Sequence, residues 1–570
     1  MDIFARTHTC YTYIRTHSHP FASRGSERVL RRLGVLRHRL DSRMSPPSRD
    51  RKPRARGAYH LFTRPFVLLV AFRLVNARVV RTFFNADEFW QGPEIAHKIV
   101  YGYGHATWEW SARLRGYAHP LLYAGVYAVG DALGLRSAWF TTNAPRWTHA
   151  FVAAAHDAAC FRLAKRFHGD ACARWAVFLR LVNWFVFFCE TRSFSNCVEA
   201  CLTTWALVYW PLDALGSGVG GARRRRRAVA LAALSCAIRP TSAVLWAALG
   251  ARTLLTARDA TWKQKARFAA VDVAPTVSLV FFASACVDRL FYGEWTCVPC
   301  NFVRFNVFGG GSAIYGAHPW HWYLTQGYPA VLGTMTPAAL SGFWRNRRVA
   351  PHAFIVTFWT IVGYSLAAHK EFRFLLPCVS ASIVSAASTM SASPPSRRRR
   401  VSVAFVVVTN VIAAAYTSVW HQAGTIAVMP YIARLARTMD LTHDGGVLFA
   451  TPCHQTPFYS HVHADVAMSF LDCSPDVPPG QDASARFAAD PARYLSTTYD
   501  TIDDASPPSS CPSLPRVVVL FDADARRAAD WLTARAYRRT ESFHHAHFEV
   551  DRELQRRLLV YVRDGDAASS

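Results

Sequence analysis

The sequence predicts a mainly α-helical, polytopic membrane protein that ends in a small C-terminal α/β domain. Apolar runs of about 15 to 20 residues recur between residues 64 and 420, close to the length that a helix needs to cross a bilayer. The net charge of +27 is concentrated in arginine blocks between these runs. Such blocks are typical of loops retained on the cytosolic side, which favours a membrane protein over one that binds nucleic acid. The last part of the chain lacks such runs and contains short strand-like segments.

Three regions follow from this pattern. Residues 1–60 carry far more Arg and Lys than acidic residues, so we expect a disordered, basic, cytosolic arm. Residues 61–425 hold the apolar runs and form the membrane-spanning domain. Residues 426–570 form the α/β domain, which we place on the far side of the membrane.

The first run, at about 64–84, contains Arg73, Arg78 and Arg81, which we expect to face other helices or the membrane interface. Further runs lie near 118–135, 147–164, 172–190 and 197–214. Their number does not fit the charge pattern of the flanking loops. One run within 118–222 is therefore expected to be re-entrant or amphipathic.

A break is expected at Arg239-Pro240. This pair lies between two basic segments, Arg223 to Arg227 and Arg252 to Arg267, that are both expected in the cytosol. Proline removes a helical hydrogen bond and disfavours helix at the preceding residue. We expect a broken or re-entrant helix with Arg239 near its tip; an ordinary kinked helix is the alternative.

Later runs alternate more simply and place the loop 288–328, the turn 369–373 and the tail on the far side. In the tail, strands are expected at 447–450 and 517–521, with a helical pattern at 523–536 and a loop over 474–515.

The cysteines favour disulfides over zinc. Cys297 and Cys300 have the spacing of a metal or redox pair, but no second pair follows at a zinc-site distance, so a structural disulfide or no role is favoured. Cys453, Cys473 and Cys511 could be oxidised if the tail faces a lumen.

Polar and aromatic side chains converge on the far side. The segment 85–117, the loop 288–328 and the turn 369–373 combine carboxylates, Trp and His with Arg and Lys. Aromatic rings beside fixed carboxylates suit a sugar, and Arg and Lys suit a phosphate. A lipid-linked sugar phosphate would use all of these groups.

Several segments carry a family resemblance: Asp87-Glu-Phe-Trp-Gln91, Gly102-Tyr-Gly104, Thr107-Trp-Glu-Trp110, Leu114-Arg115 and His369-Lys-Glu-Phe-Arg-Phe374. They resemble the dolichyl-phosphate-mannose-dependent mannosyltransferases of glycosyltransferase family 22. Segments 301–307, 315–323 and 451–463 are most similar to the members that act on glycosylphosphatidylinositol (GPI) precursors. The resemblance covers residues 64–563. It implies a GT-C-type multispanning fold in the endoplasmic reticulum membrane with a luminal active site and a luminal C-terminal domain.

The resemblance implies an inverting transfer of mannose from dolichyl phosphate mannose, in α1,2 linkage, to the second mannose of a GPI precursor. Asp87 matches the acid of the family and is expected to take the acceptor proton. Glu88 is expected to orient the acceptor or share that role. Cations would stabilise the leaving phosphate, with His369 and Lys370 favoured. The substrate-binding candidates are Gln91, Trp108, Glu109, Arg115, Arg239, His318, Trp320, His369, Lys370, Glu371 and Arg373.

The sequence departs from the family at two positions, since Ala86 replaces a usual proline and Gly116 a common serine. No cofactor is implied because the donor lipid is a substrate. No metal site is expected from His454, His461 and His463, which lack nearby acids, although metal dependence stays open.

Plainer alternatives also stay open. Trp108 and Trp110 could be interface aromatics, and Glu371 and Arg373 a structural ion pair. His318 and His321 could simply pack beside Trp320. Alternative functions are a related transferase acting on N-glycan precursors, an enzyme adding the fourth GPI mannose, or a transporter of lipid or sugar phosphate.

Overall fold

The computed structural model describes residues 64–211, 215, 219–258, 260–348, 350–442, 445–475, 477–478, 480–500 and 513–564. The expected basic arm at 1–60 and Cys511 lie outside them. The helices of the first half are Arg64–Val79 (α1), Asp87–Trp90 (α2), Pro93–Tyr101 (α3), Trp108–Ser111 (α4), Pro120–Ala132 (α5), Ala138–Val182 (α6), Trp184–Cys189 (α7), Ser195–Tyr209 (α8), Val219–Ile238 (α9), Ala243–Thr256 (α10), Trp262–Arg267 (α11) and Ala274–Tyr292 (α12).

Those of the second half are Val298–Val303 (α13), Tyr328–Leu332 (α14), Thr336–Asn346 (α15), His352–Ser365 (α16), Leu376–Ala392 (α17), Arg397–Val419 (α18), Gly424–Ala427 (α19), Met429–Thr438 (α20), Tyr459–Val462 (α21), Ala483–Ala489 (α22), Pro491–Tyr499 (α23), Asp522–Arg527 (α24) and Ala529–Ala534 (α25). Short 3₁₀ or π segments are Pro240–Ser242, Phe268–Val273, Arg304–Phe308, Gly311–Tyr315, Tyr323–Gly327, Gly333–Met335 and Phe372–Leu375. The strands are Val447–Ala450 (β1), Met468–Phe470 (β2), Val517–Phe521 (β3), Tyr537–His544 (β4) and Arg557–Arg563 (β5).

A buried ion network joins the first helices. Arg73 of α1 pairs with Asp157 of α6 at 2.8 Å, and both side chains are inaccessible to solvent. α6 reverses direction at Gly169, whose φ of 79° favours glycine, so that Arg180 returns to 2.6 Å from the same Asp157. Glu190 adds a second carboxylate at 2.9 Å from Arg180. Arg73 thus faces other helices, as predicted, because a charge inside an apolar bundle needs a charged partner.

The run at 118–135 does not cross the bundle. α6 begins beside the end of α1, because Arg146 donates to the Val80 carbonyl at 2.6 Å. The chain therefore starts and ends this stretch at one end of the bundle. α5 has 13 residues, or about 20 Å, and buries Tyr123 and Tyr127 while exposing Val129. The prediction that one run within 118–222 is re-entrant or amphipathic is confirmed.

α9 and α10 form a hairpin with Arg239 at its tip. α9 ends at Ile238, a 3₁₀ turn follows at Pro240–Ser242, and α10 runs back. The far ends of both helices meet near the end of α8, because Arg224 of α9 donates to the Val208 carbonyl at 3.0 Å and Trp210 donates to the Thr253 hydroxyl of α10 at 2.9 Å. The predicted break is confirmed, and a single kinked helix is excluded.

Three helical stretches of the described chain are long and apolar enough to cross a membrane: Trp262–Tyr292, Phe372–Ala392 and Arg397–Val419. His352–Ser365 is a shorter apolar helix. Phe372–Ala392 is mostly buried by its neighbours, whereas most residues of the other two long stretches are not buried inside the protein. Exposed apolar helix faces of this kind fit contact with lipid.

The C-terminal domain is built on a five-stranded mixed sheet in the order β2-β1-β3-β5-β4. β1 pairs in parallel with β2 and β3, and β5 pairs antiparallel with β3 and β4. β1 and β3 are fully buried, which explains their continuous apolar sequences, and they match the two predicted strands. The predicted loop at 474–515 is wrong in its first half, where Asp482 and Asp490 cap α22 and α23 through their side chains.

Candidate active site

Asp87 begins the one-turn helix α2, which follows α1 after the short segment 80–86. The side chain of Asn85 accepts a hydrogen bond from the main-chain N–H of Asp87 at 3.0 Å and donates to Glu371 at 3.2 Å. Ala86 adopts helical dihedrals before this turn. The turn therefore forms without the proline of the family, because Asn85 fixes it through its side chain.

Arg373 joins the two acidic segments. Its guanidinium lies 2.6 Å from the Asp87 carboxylate and makes two bonds to Glu371, at 2.6 and 2.7 Å. His369 contacts the same Glu371 carboxylate at 2.9 Å. Asp87 keeps 23% of its side chain exposed, whereas Arg373 keeps 3%. The Asp87 carboxylate is therefore fixed by an ion pair and still partly exposed to solvent.

Asp87 and Glu371 are both held in the ionised form. Burial raises the pKa of Asp87, but the positive charges of Arg373 and Arg115 outweigh burial and leave the pKa below its ordinary value. Burial likewise raises the pKa of Glu371, and Arg373 together with His369 lowers it far more. Both carboxylates are charged at neutral pH.

A small cleft with about 30 Å³ of accessible space opens next to this network. Its lining includes Gln91, Arg115, Ser195, Arg239, Val298 and Phe302. Two arginines thus face a small, partly apolar space. The side-chain nitrogen of Gln91 is buried and has no hydrogen-bond partner within the described chain, so it is free to donate to a ligand.

Both cleft arginines are held by glutamates. Arg115 makes two bonds to Glu109, at 3.1 and 2.5 Å, and Tyr315 donates to the same carboxylate at 3.0 Å. Arg239 lies 3.3 Å from Glu199 and donates to Ser195 at 3.1 Å. Each guanidinium is therefore oriented before any ligand binds, and the sequence-predicted Glu109, Arg115 and Arg239 meet at one site.

Glu88 points away from the cleft. Its carboxylate is fully buried and pairs with Arg192 at 2.8 Å and Arg146 at 3.2 Å. Arg192 also donates to the carbonyl of Thr82 at 2.6 Å. These contacts leave no path from Glu88 to a substrate, so the predicted acceptor-orienting or base role gives way to a structural one.

Lys370 and His369 are occupied by protein oxygens. Lys370 donates to the carbonyls of His318 and Ala367, is almost completely buried, and lies outside the cleft lining. His369 has the Gly316 carbonyl 3.2 Å from one ring nitrogen and Glu371 near the other. The two cations that the sequence favoured for the phosphate instead fix the turn.

The remaining aromatic candidates lie in different places and do not form one cluster. Trp108 packs against Phe305 of the 288–328 loop at 5.5 Å between ring centroids. His318 stacks on Trp322 at 4.8 Å, and Trp320 is 68% exposed. Trp110 is buried and donates to the Trp90 carbonyl at 3.3 Å, so it is not an interface aromatic. His318 and Trp320 thus lie outside the charged site.

Sequence reasoning missed two contributors. Ser195 and Glu199 lie at the start of α8, where their residue types gave no signal in an apolar run. The buried Glu199 could have been noticed as a charge that needs a partner, which Arg239 provides.

Comparison with known proteins identifies the family. The model of the Alg9-like mannosyltransferase family matches residues 64–463. The chain belongs to this family. It is 37% identical over 526 residues to mannosyltransferase APTG1 of Arabidopsis thaliana, covering 88% of this chain and 92% of that protein. It is 34% identical over 533 residues to GPI alpha-1,2-mannosyltransferase 3 of Mus musculus, covering 93% and 94%.

Solved structures show the same fold for this mannosyltransferase. ArnT from Cupriavidus metallidurans bound to undecaprenyl phosphate superposes with a TM-score of 0.53 at 11% identity, covering 88% of this chain and 98% of that one. The Archaeoglobus fulgidus oligosaccharyltransferase in the apo form gives 0.50 at 11% identity, over 86% and 75%. Both support the predicted GT-C-type fold. The chain is a membrane glycosyltransferase, which sets aside the transporter and nucleic-acid alternatives.

Proposed function

We propose that this enzyme transfers mannose from dolichyl phosphate mannose, in α1,2 linkage, to the second mannose of a GPI precursor. The reaction would take place in the endoplasmic reticulum membrane, with the site on the luminal side. The similarity to GPI alpha-1,2-mannosyltransferase 3 over almost the full chain supports this acceptor. The observation that carries the chemistry is one solvent-accessible carboxylate, Asp87, next to a cleft bearing Arg115 and Arg239.

Asp87 acts as the general base. An inverting transfer needs one carboxylate that takes the proton from the acceptor hydroxyl while that oxygen attacks the anomeric carbon. The C–O bond to the dolichyl phosphate breaks as the new glycosidic bond forms, and the proton ends on Asp87. Glu88 cannot share this step because it is sealed between Arg146 and Arg192.

The arginines stabilise the leaving group. Dolichyl phosphate gains one negative charge as it departs, and preoriented cations lower the energy of that charge in a site with little water. Arg115 and Arg239 line the cleft, whereas Arg373 lies outside its lining and pairs with Asp87. No proton donor is needed, since a phosphate leaves as an anion.

Complementation tests the proposal. Cells that lack the third GPI mannose receive the wild-type chain or the Asp87→Asn variant, and surface GPI-anchored protein is measured together with the accumulated glycolipids. We expect rescue by the wild type only, with the two-mannose precursor still accumulating in cells that carry Asp87→Asn. Equal rescue by both would refute the role of Asp87.

The acceptor is tested separately. Membranes containing the wild-type chain are supplied with dolichyl phosphate mannose and either GPI precursors or N-glycan precursors. Transfer to the GPI precursor that carries two mannoses is expected. Transfer to an N-glycan precursor, or to the GPI precursor that already carries three mannoses, would show that the proposed acceptor is wrong. The proposed donor and the chemistry of transfer would still stand.

A further inference from the structure

The C-terminal domain reaches back to the segment that carries Asp87. Phe83, Phe89 and Trp90 belong to the same apolar core as β1 and β3 of the sheet. Trp90 is 3% exposed and lies 4.9 Å from the ring of Phe458. The one-turn helix Asp87–Trp90 therefore has Arg373 on its acidic side and the C-terminal sheet on its aromatic side.

Glu94 holds the segment 458–460 of this domain. Its carboxylate is fully buried and accepts main-chain N–H bonds from Phe458 at 2.9 Å, Tyr459 at 3.0 Å and Ser460 at 3.2 Å. The Ser460 hydroxyl adds a bond at 2.5 Å. These four bonds cross from the Asp87 region to the C-terminal domain and meet on one buried side chain.

A disulfide fixes the other contact. Cys453 is bonded to Cys473, which follows β2, so the loop after β1 is tied to the edge of the sheet. The residue next to Cys453 is His454, whose carbonyl accepts a hydrogen bond from the Trp90 indole at 3.1 Å. The position of this carbonyl is therefore set by the disulfide, and Trp90 is three residues from Asp87.

We infer that Glu94 and the Cys453–Cys473 disulfide are positioning groups, which hold the helix Asp87–Trp90 against the C-terminal domain and thereby place the Asp87 carboxylate. Neither group touches substrate. The inference rests on the proposed mannosyl transfer, because the experiments measure the rate of that reaction. It also gives the C-terminal domain a function in catalysis.

The kinetic consequence follows from the geometry. The charge of the donor phosphate would be met by Arg115 and Arg239, which lie outside the helix Asp87–Trp90, so loss of either positioning group should leave most of the donor binding energy in place. The carboxylate, however, loses its fixed distance to the acceptor hydroxyl. A shift of about 1 Å costs on the order of 100-fold in rate. We therefore expect a lower kcat with an unchanged KM for the donor.

The first experiment compares variants of the full chain, purified in detergent, in a transfer assay with dolichyl phosphate mannose and the two-mannose GPI precursor. Glu94→Ala is expected to lower kcat by about 10- to 100-fold. Glu94→Gln keeps one acceptor oxygen and should recover part of that loss. Ser460→Ala removes only the hydroxyl bond and should change kcat by less than about threefold.

The second experiment reduces the disulfide. Dithiothreitol should lower the kcat of the wild type by about fivefold or more, and reoxidation should restore it. The Cys453→Ser/Cys473→Ser variant should start at the low rate and not respond. The Cys297→Ser/Cys300→Ser variant removes the other disulfide of the described chain and should respond like the wild type.

Different results would refute the positioning role and the proposed function. An unchanged kcat after thiol labelling has confirmed reduction of Cys453 and Cys473, or a normal kcat in Glu94→Ala, would overturn the positioning role. So would a loss explained entirely by a higher donor KM. A folded wild-type chain with no transfer at all would instead refute the proposed function.

Discussion

Arg373 and Asp87 form a 2.6 Å ion pair at the point where the segment after α1 meets the turn before α17. The pair keeps Asp87 charged and oriented, but a carboxylate bound to a guanidinium is a weak base. A phosphate in the cleft would compete for the positive charge around Asp87 and strengthen the base. We therefore expect donor binding to influence proton abstraction through Arg115, which lines the cleft and lowers the pKa of Asp87.

Arg373→Lys is expected to lower kcat/KM for the donor by about 100-fold while the protein still folds. A lysine ammonium cannot contact Asp87 and Glu371 through a planar fork, so the carboxylate loses its fixed orientation. Transfer kinetics of the purified variant check this result. Lys370→Arg is the matched control at the same turn, and an equal loss in both variants would contradict a special role for Arg373.

Arg239 and Lys370 should differ in their effect on the donor. Arg239 lines the cleft, whereas Lys370 binds main-chain carbonyls outside it. Arg239→Met is expected to raise the KM for dolichyl phosphate mannose by about tenfold or more through loss of a phosphate contact. Lys370→Met should mainly lower thermal stability. Donor titrations and melting curves separate the two, and the reverse pattern would restore the sequence-based assignment of Lys370.

Much of the fold could be predicted because apolar runs and arginine blocks report directly on helices and their flanks. The pair Arg239-Pro240 even indicated the position of a hairpin tip, since proline breaks a helix. β4 could not be found in this way. Its sequence from Tyr537 is charged and largely exposed, and it becomes a strand only by pairing with β5.

The residue types of the site could be predicted from the sequence, but the directions of all its side chains could not. Residue types and the family resemblance indicated Asp87, Arg115, Arg239 and Arg373, and the structure brings these four residues together. The direction of a side chain is a tertiary property, however. Glu88 follows Asp87 directly, yet it turns toward buried arginines of other helices, which no local pattern could show.

Glu88→Gln is expected to destabilise the protein by about 3–5 kcal/mol, because two arginines are left without their buried partner. The amount of folded protein in membranes should fall sharply. Specific activity per folded molecule should stay within about fivefold of the wild type, whereas Asp87→Asn should fold normally and lose activity. Size-exclusion profiles and transfer rates measure the two effects. A well-folded, inactive Glu88→Gln would contradict the structural assignment.

Acidification should weaken the contact between the Asp87 segment and the C-terminal domain. Burial lowers the pKa of His97 and His461 to about 3 and that of His105 and His454 to about 4, so all four are neutral in the folded protein at neutral pH. The unfolded chain takes up protons first, near pH 6.5, so stability is complete above that pH and declines as the pH falls toward 4. The loss is about 1–2 kcal/mol per histidine at pH 5. Thermal unfolding of the purified chain should show a midpoint that drops steadily from pH 7 to pH 5. The His97→Asn variant should show a shallower slope, and a midpoint that is constant or rises over this range would contradict neutral buried histidines.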